Sequence, residues 1–126
     1  MLDGFGPVPL SEAAGRGEVL MLALPDEAMG EIYRQEVAPA GLIGKAVGVC
    51  HGFAYHFQSI VPEPGADVFL AAPKGSGASL RRAVEAGGSL AGLFAVLQDS
   101  TGNARDLALS YLWGIGCVGT LILETT

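Results

Sequence analysis

The feature that most constrains this chain is a series of short, unbroken apolar runs separated by longer stretches with helical spacing. Half-exposed antiparallel strands alternate apolar and polar residues. Continuous runs instead bury both faces of a strand and suit a sheet with helices packed above and below it. The runs predict strands over residues 19–24, 46–50, 68–72 and 93–97, with a last extended piece over 120–124. The expected fold is an α/β layer structure.

The connecting stretches carry helix punctuation. Asp26 and Glu27 open a segment in which Met29, Ile32, Tyr33 and Val37 recur at helical spacing until Pro39 and Gly41. Acidic residues there suit the positive end of the helix dipole. Ser76 and Gly77 precede a second helix, with Leu80, Ala83 and Val84 expected on the sheet and Arg81, Arg82 and Glu85 outside, until Gly87 and Gly88 end it. A third runs from Asn103 to Trp113 on Ala104, Leu107, Ala108 and Tyr111. Crossovers this long imply parallel pairing with right-handed connections. Ahead of the first strand only a short helical turn over residues 11–14 is expected, and the chain reads as part of something longer.

Composition narrows the function classes. The seven basic residues are scattered and the formal charge is −6, which disfavours nucleic-acid binding. No apolar run approaches the roughly 20 residues needed to cross a bilayer, and a soluble, cytoplasmic protein without membrane partners is expected. Half of the residues are apolar and only 16% are charged, so part of the surface is expected to be covered by a neighbour. Cys50 and Cys117 form no CxxC and are expected to be buried thiols in a reducing compartment.

Ligands of open α/β sheets gather at the carboxyl ends of the strands. The four segments that follow the strands are Leu24-Pro25-Asp26-Glu27, Cys50-His51-Gly52-Phe53, Ala72 through Gly77, and Gln98 through Gly102, all expected on one rim. Each has a plain structural alternative. Pro-Asp-Glu starts a helix in any protein, Lys74-Gly75-Ser76-Gly77 is a flexible turn without the P-loop pattern, and Gln98 through Gly102 serves as a loop and cap. His51, flanked by glycine at a strand end, suits proton transfer or substrate orientation, and a hydrogen-bonded structural role fits equally well. His56 is expected to pack among Tyr55, Phe57 and Ile60. Paired carboxylates, a catalytic triad and a complete metal site are not evident in the sequence.

In order, LALPDE, CHGFAYHFQSIVP, DVFLAAPKGSG with LRRAVEAG, LQDSTGNARDLALSYLWGIG and ILETT resemble ketol-acid reductoisomerase from about Phe5 onward. The resemblance is to the later part of that family's N-terminal NADPH-binding domain. It implies a Rossmann-like, mostly parallel sheet with flanking helices, incomplete at its N-terminal side. The family converts 2-acetolactate or 2-aceto-2-hydroxybutyrate to dihydroxy acids in branched-chain amino acid biosynthesis, by magnesium-dependent alkyl migration and hydride transfer from NADPH.

By position, the resemblance implies cofactor contacts at Asp26, Glu27, Ala28, Met29 and Gly77, and a catalytic role for His51. It also implies a glycine-rich phosphate turn upstream of Met1. The magnesium ligands would lie in a knotted helical domain beyond Thr126, and the complete enzyme would be a homo-oligomer. The isolated chain is then expected to be inactive. Ala54 and Ala78 stand where the family commonly has Asn and His, which keeps open a non-catalytic nucleotide-binding or interaction module derived from the same domain. A generic α/β domain of another dehydrogenase or a flavodoxin-like regulator fits fewer of the motifs.

Overall fold

Every apolar run becomes a strand of one five-stranded sheet. The computed structural model describes residues 4, 6–117 and 121–125. Its strands are β1 (Val19–Leu22), β2 (Ala46–Val49), β3 (Asp67–Pro73), β4 (Gly92–Gln98) and β5 (Ile122–Glu124), adjacent in chain order. Thr120, where the expected last strand begins, lies outside the described residues, as do Met1, Phe5 and Thr126. The helices are α1 (Leu10–Arg16), α2 (Asp26–Ile32), α3 (Phe53–His56), α4 (Gly77–Glu85) and α5 (Ala104–Ile115).

Alternate residues of the central strands feed two cores. Leu20, Leu22, Val47 and Val49 join Met29, Tyr33, Val37 and Leu42 on one face. Ala46, Phe69, Ala71 and Phe94 join Ala108, Leu112 and Cys117 of the α5 side on the other. Side chains of successive strand residues point to opposite faces, so both faces must be apolar. That is why the runs lack alternation. Gly48 answers a packing demand between these layers: a Cβ there would lie 2.4 Å from Sδ of Met21 and 2.6 Å from the Phe69 ring.

The local punctuation behaves as the sequence suggests, with two extensions. α1 is longer than a single turn, and the Lys45 ammonium donates to the carbonyls of Ala14 (2.8 Å) and Gly15 (3.0 Å) at its end. These are carbonyls with few partners in the helix itself, at the pole that favours a cation. α2 continues through a widened turn over Tyr33–Val37 and a tight turn over Ala38–Ala40 before Gly41. α5 buries Ala104, Ala108 and Leu112 on one stripe and ends at Gly116, whose φ of 109° suits glycine.

Strand direction departs from expectation in one place. β1 pairs with β2, β2 with β3 and β4 with β5 in parallel, but β3 and β4 are antiparallel. Pro73 lies opposite Gly92, and the Lys74 N–H donates to the Ala91 carbonyl at 2.8 Å. The chain therefore leaves and returns at the same end of the sheet. The cause is α4, which buries no residue and does not cross the sheet face as a βαβ helix would. Leu80 is half-buried and Val84 is 44% exposed, and neither belongs to the two buried cores. They lie against Gly116, where a Cβ would come 2.3 Å from Cγ2 of Val84 and 3.8 Å from Cδ1 of Leu80.

Candidate functional site

Because β1, β2 and β3 run parallel, the segments after them share one rim, and a cleft of about 1220 Å³ opens there. The loop after β1 supplies Leu24, Pro25 and Asp26, the loop after β2 supplies Cys50 to Phe53, and the loop after β3 supplies Lys74 to Gly77. The segment from Gln98 to Gly102 is not part of it. Reversal of β4 carries that segment to the opposite end of the sheet, where Ser100 and Thr101 bind Asp67 at the start of β3. The expectation of four loops on one rim is corrected to three.

Asp26 opens α2 and lines the cleft, and its Oδ1 is buried with no hydrogen-bond partner. A buried carboxylate oxygen without a donor is costly, and such atoms are rare in folded proteins. A ligand donor would satisfy it. The N–H groups of Ala28 and Met29 both donate to the Pro25 carbonyl, at 3.1 and 3.0 Å, and are not free for a ligand.

The other residues expected at the cofactor separate clearly. Gly77 lines the cleft, and a Cβ at its position would meet no protein atom within 4 Å, so backbone can approach a ligand there. Glu27 is exposed and Ala28 half-buried, both outside the cleft lining. Met29 is 1% exposed and packs in the core against β1 and β2. Three positions after Asp26, helical periodicity turns this side chain inward.

His51 is exposed and lines the cleft immediately after β2. Among the described residues neither its ring nor the Lys74 ammonium has a protein partner. His56, expected to pack, is exposed on the cleft wall with its ring edge-on to Phe57 at 4.8 Å. Cys50, expected to be buried, is half-buried and faces the cleft, while Cys117 is fully buried. Burial pushes both thiols above the ordinary cysteine range. The Tyr111 hydroxyl is raised too, chiefly by burial and secondarily by Cys50 and Cys117.

Phe53, Phe57, Lys74 and Tyr111 also line the cleft; Phe53 and Lys74 belong to the strand-end segments expected there, and Phe57 and Tyr111 do not. A signal for the first two was present: Phe53 and Phe57 are spaced to share one face of a helix that begins just after His51.

The cleft thus combines an acid and a cation without partners among the described residues, an exposed imidazole and a glycine turn at the carboxyl ends of parallel strands. A family model described as the NADPH-binding domain of acetohydroxy acid isomeroreductase matches residues 1–120. The chain belongs to this family.

The isomeroreductase assignment agrees with comparison to solved structures. The chain is similar to an NADH-preferring ketol-acid reductoisomerase from an uncultured archean, at 39% identity and a TM-score of 0.95. The match covers 98% of this chain and 38% of that one, so this chain spans well under half of that relative. A semialdehyde dehydrogenase NAD-binding protein from Cupriavidus necator, in complex with calcium and NAD, matches at 22% identity and a TM-score of 0.76, over 98% of this chain and 47% of that one. This second likeness shows the fold alone. The α/β, Rossmann-like architecture of an isomeroreductase nucleotide-binding domain is therefore established. Among the described residues no helix is long and apolar enough to cross a membrane.

Proposed function

We propose that this chain forms the nucleotide-holding part of a ketol-acid reductoisomerase acting on 2-acetolactate or 2-aceto-2-hydroxybutyrate with NADPH. The observation that carries this is the cleft in which Asp26 Oδ1, His51 and Lys74 have no partner among the described residues. NADPH held there would supply the hydride for the reductive step.

The roles of the chain's own groups follow from their chemistry. Gly77 lets the backbone approach the ligand closely, and Lys74 offsets negative charge on a phosphate or acid group. Asp26 accepts a hydrogen bond from the cofactor through its buried oxygen. His51 stands at the reacting end, where an imidazole can orient a substrate oxygen or move a proton. Glu27 and Ala28 contribute by shaping the start of α2 rather than by lining the cleft. Magnesium finds no ligand set here: among the described residues no group of three or more His, Cys, Asp or Glu side chains is placed to hold a metal.

Titration of the chain with NADPH and with NADH, followed by nicotinamide fluorescence, tests the proposal. Saturable binding of at least one is expected. A flat titration on a folded chain would overturn it. Where turnover on 2-acetolactate is measured in the complete enzyme, His51→Ala is expected to lower it by about 10²-fold or more, the usual contribution of a positioned acid or base. Cofactor affinity should hardly change. Equal losses in both would contradict the placement of His51 at the reacting end.

A further inference from the structure

We propose that Phe53 and Phe57 form a stacking shelf for the nicotinamide ring of the bound dinucleotide. This rests on the nucleotide-holding role above and extends it to a particular part of the ligand. Phe53 opens α3, the short helix after His51, Phe57 follows its last residue, and both side chains line the cleft. Their ring centroids are 4.6 Å apart with an interplanar angle of 45°, so the pair presents a tilted aromatic wall. The His56 ring stands edge-on to Phe57 at an interplanar angle of 89° and buttresses it from the side.

The pair contributes little to folding. Phe53 is 48% exposed and Phe57 62% exposed, and neither belongs to the two buried cores. Single exposed aromatic residues are ordinary on protein surfaces. Two in mutual contact, on the wall of a cleft that also holds an acid and a cation without partners among the described residues, make a platform for a planar ring. Stacking on an aromatic face needs only a π-system and an approach of several ångströms.

The position along the cleft selects which ring. A dinucleotide carries heteroaromatic rings at its two ends with the pyrophosphate between them. Phe53 follows His51 by two residues, and His51 is the group placed at the reacting end. The ring beside it is therefore the one that transfers hydride. α3 is too short to act as an anion site, so its contribution is the apolar face. The shelf would hold the nicotinamide against the mouth of the cleft while the glycine turn and Lys74 face the charged portion.

Paired ligands with and without the nicotinamide test this on the whole chain: NADPH against 2′-phospho-ADP-ribose, and NADH against ADP-ribose, by calorimetry. Phe57→Leu, and Phe53→Leu combined with it, should weaken the nicotinamide-bearing ligand by about fivefold or more, the scale of one lost stacking contact. The truncated ligands should bind unchanged, and Phe57→Trp should keep the affinity of the unaltered chain. Equal weakening of both ligands, or no weakening of either, overturns the shelf while leaving the nucleotide role intact. Failure of the unaltered chain to bind any of the four overturns both. If the double variant loses its far-ultraviolet spectrum, Phe57→Leu alone decides, since that side chain is the more exposed of the two.

Discussion

The two ends of the parallel strands use their polar residues in opposite ways. At the amino end, Asp67 is 2% exposed and accepts from the N–H groups of Ser100 and Thr101, each at 2.8 Å, and from the Thr101 hydroxyl. The Gln98 amide donates to the carbonyls of Glu63 (2.9 Å) and Ala66 (2.7 Å), and Lys45 caps α1. A hollow of about 470 Å³ lies there, lined in part by Lys45, Asp67 and Thr101. These three groups are already bound within the protein. At the carboxyl end Asp26 Oδ1, His51 and Lys74 have no partner among the described residues. One end spends its polar groups on holding loops in place, and the other leaves them available to a ligand. This division agrees with ligands of open α/β sheets gathering beyond the carboxyl ends of the strands.

The largest expected effect tests the stapled end. Asp67→Ala would leave two N–H groups and a hydroxyl without their acceptor in a buried place. Removing one partner from such an arrangement costs about 3 kcal/mol or more. Urea unfolding should show that loss, while the folded fraction keeps its affinity for NADPH. A loss below about 1 kcal/mol, the scale of a single ordinary hydrogen bond, would show that the amino end is not held by this carboxylate.

The reversal of β4 that creates this end was not legible in the sequence. The stretch between β3 and β4 is long enough to cross the sheet or to return to the same edge, and an amphipathic helix fits either route. What decides is where α4 packs: it buries no residue and its Leu80 and Val84 meet Gly116, a tertiary fact absent from local spacing. The strands themselves were legible because burial on both faces leaves an unbroken apolar run. At the cleft, Asp26, His51 and Gly77 were legible as strand-end residues of parallel strands. Met29 carried two conflicting signals, a place in the cofactor segment and a place in the apolar periodicity of α2, and the periodicity placed its side chain. The exposure of Phe53 and Phe57 was not legible, because aromatic residues near a strand fit core packing as well as a cleft wall.

A smaller effect, and one of opposite sign, should appear at the ligand end. Asp26→Ala removes the buried oxygen that has no donor, at the cost of a favourable charge in the first turn of α2. The two contributions are each about 1 kcal/mol, so stability should stay level or rise by about 1 kcal/mol. Binding of NADPH should weaken by about tenfold if the oxygen accepts a hydrogen bond from it. A variant that loses stability as Asp67→Ala does would erase the contrast between the two ends.

The smallest effects concern the two thiols, which sharpen the same comparison because one faces the cleft and the other the core. Cys50 is half-buried beside His51, and Cys117 is fully buried beneath Gly92 and Leu112. Burial raises both above the ordinary cysteine value of about 8.5. A raised folded-state pKa gives stability that is complete below the unfolded value and lost as pH climbs through the folded one. Stability should therefore be level from about pH 7 to 8 and decline above about pH 8.5. Tyr33 and Tyr111, both raised chiefly by burial, extend the decline beyond about pH 10. Alkylation separates the two sites: iodoacetamide at mildly alkaline pH should label Cys50 slowly in the folded chain and Cys117 only when the chain opens. Saturating NADPH should protect Cys50 and leave the opening-limited labelling of Cys117 slowed only by the added stability of the complex. Should Cys50 label at one rate with and without bound nucleotide, the ligand does not reach the strand end where His51 stands, and the open end of the sheet would have to serve something smaller than a dinucleotide.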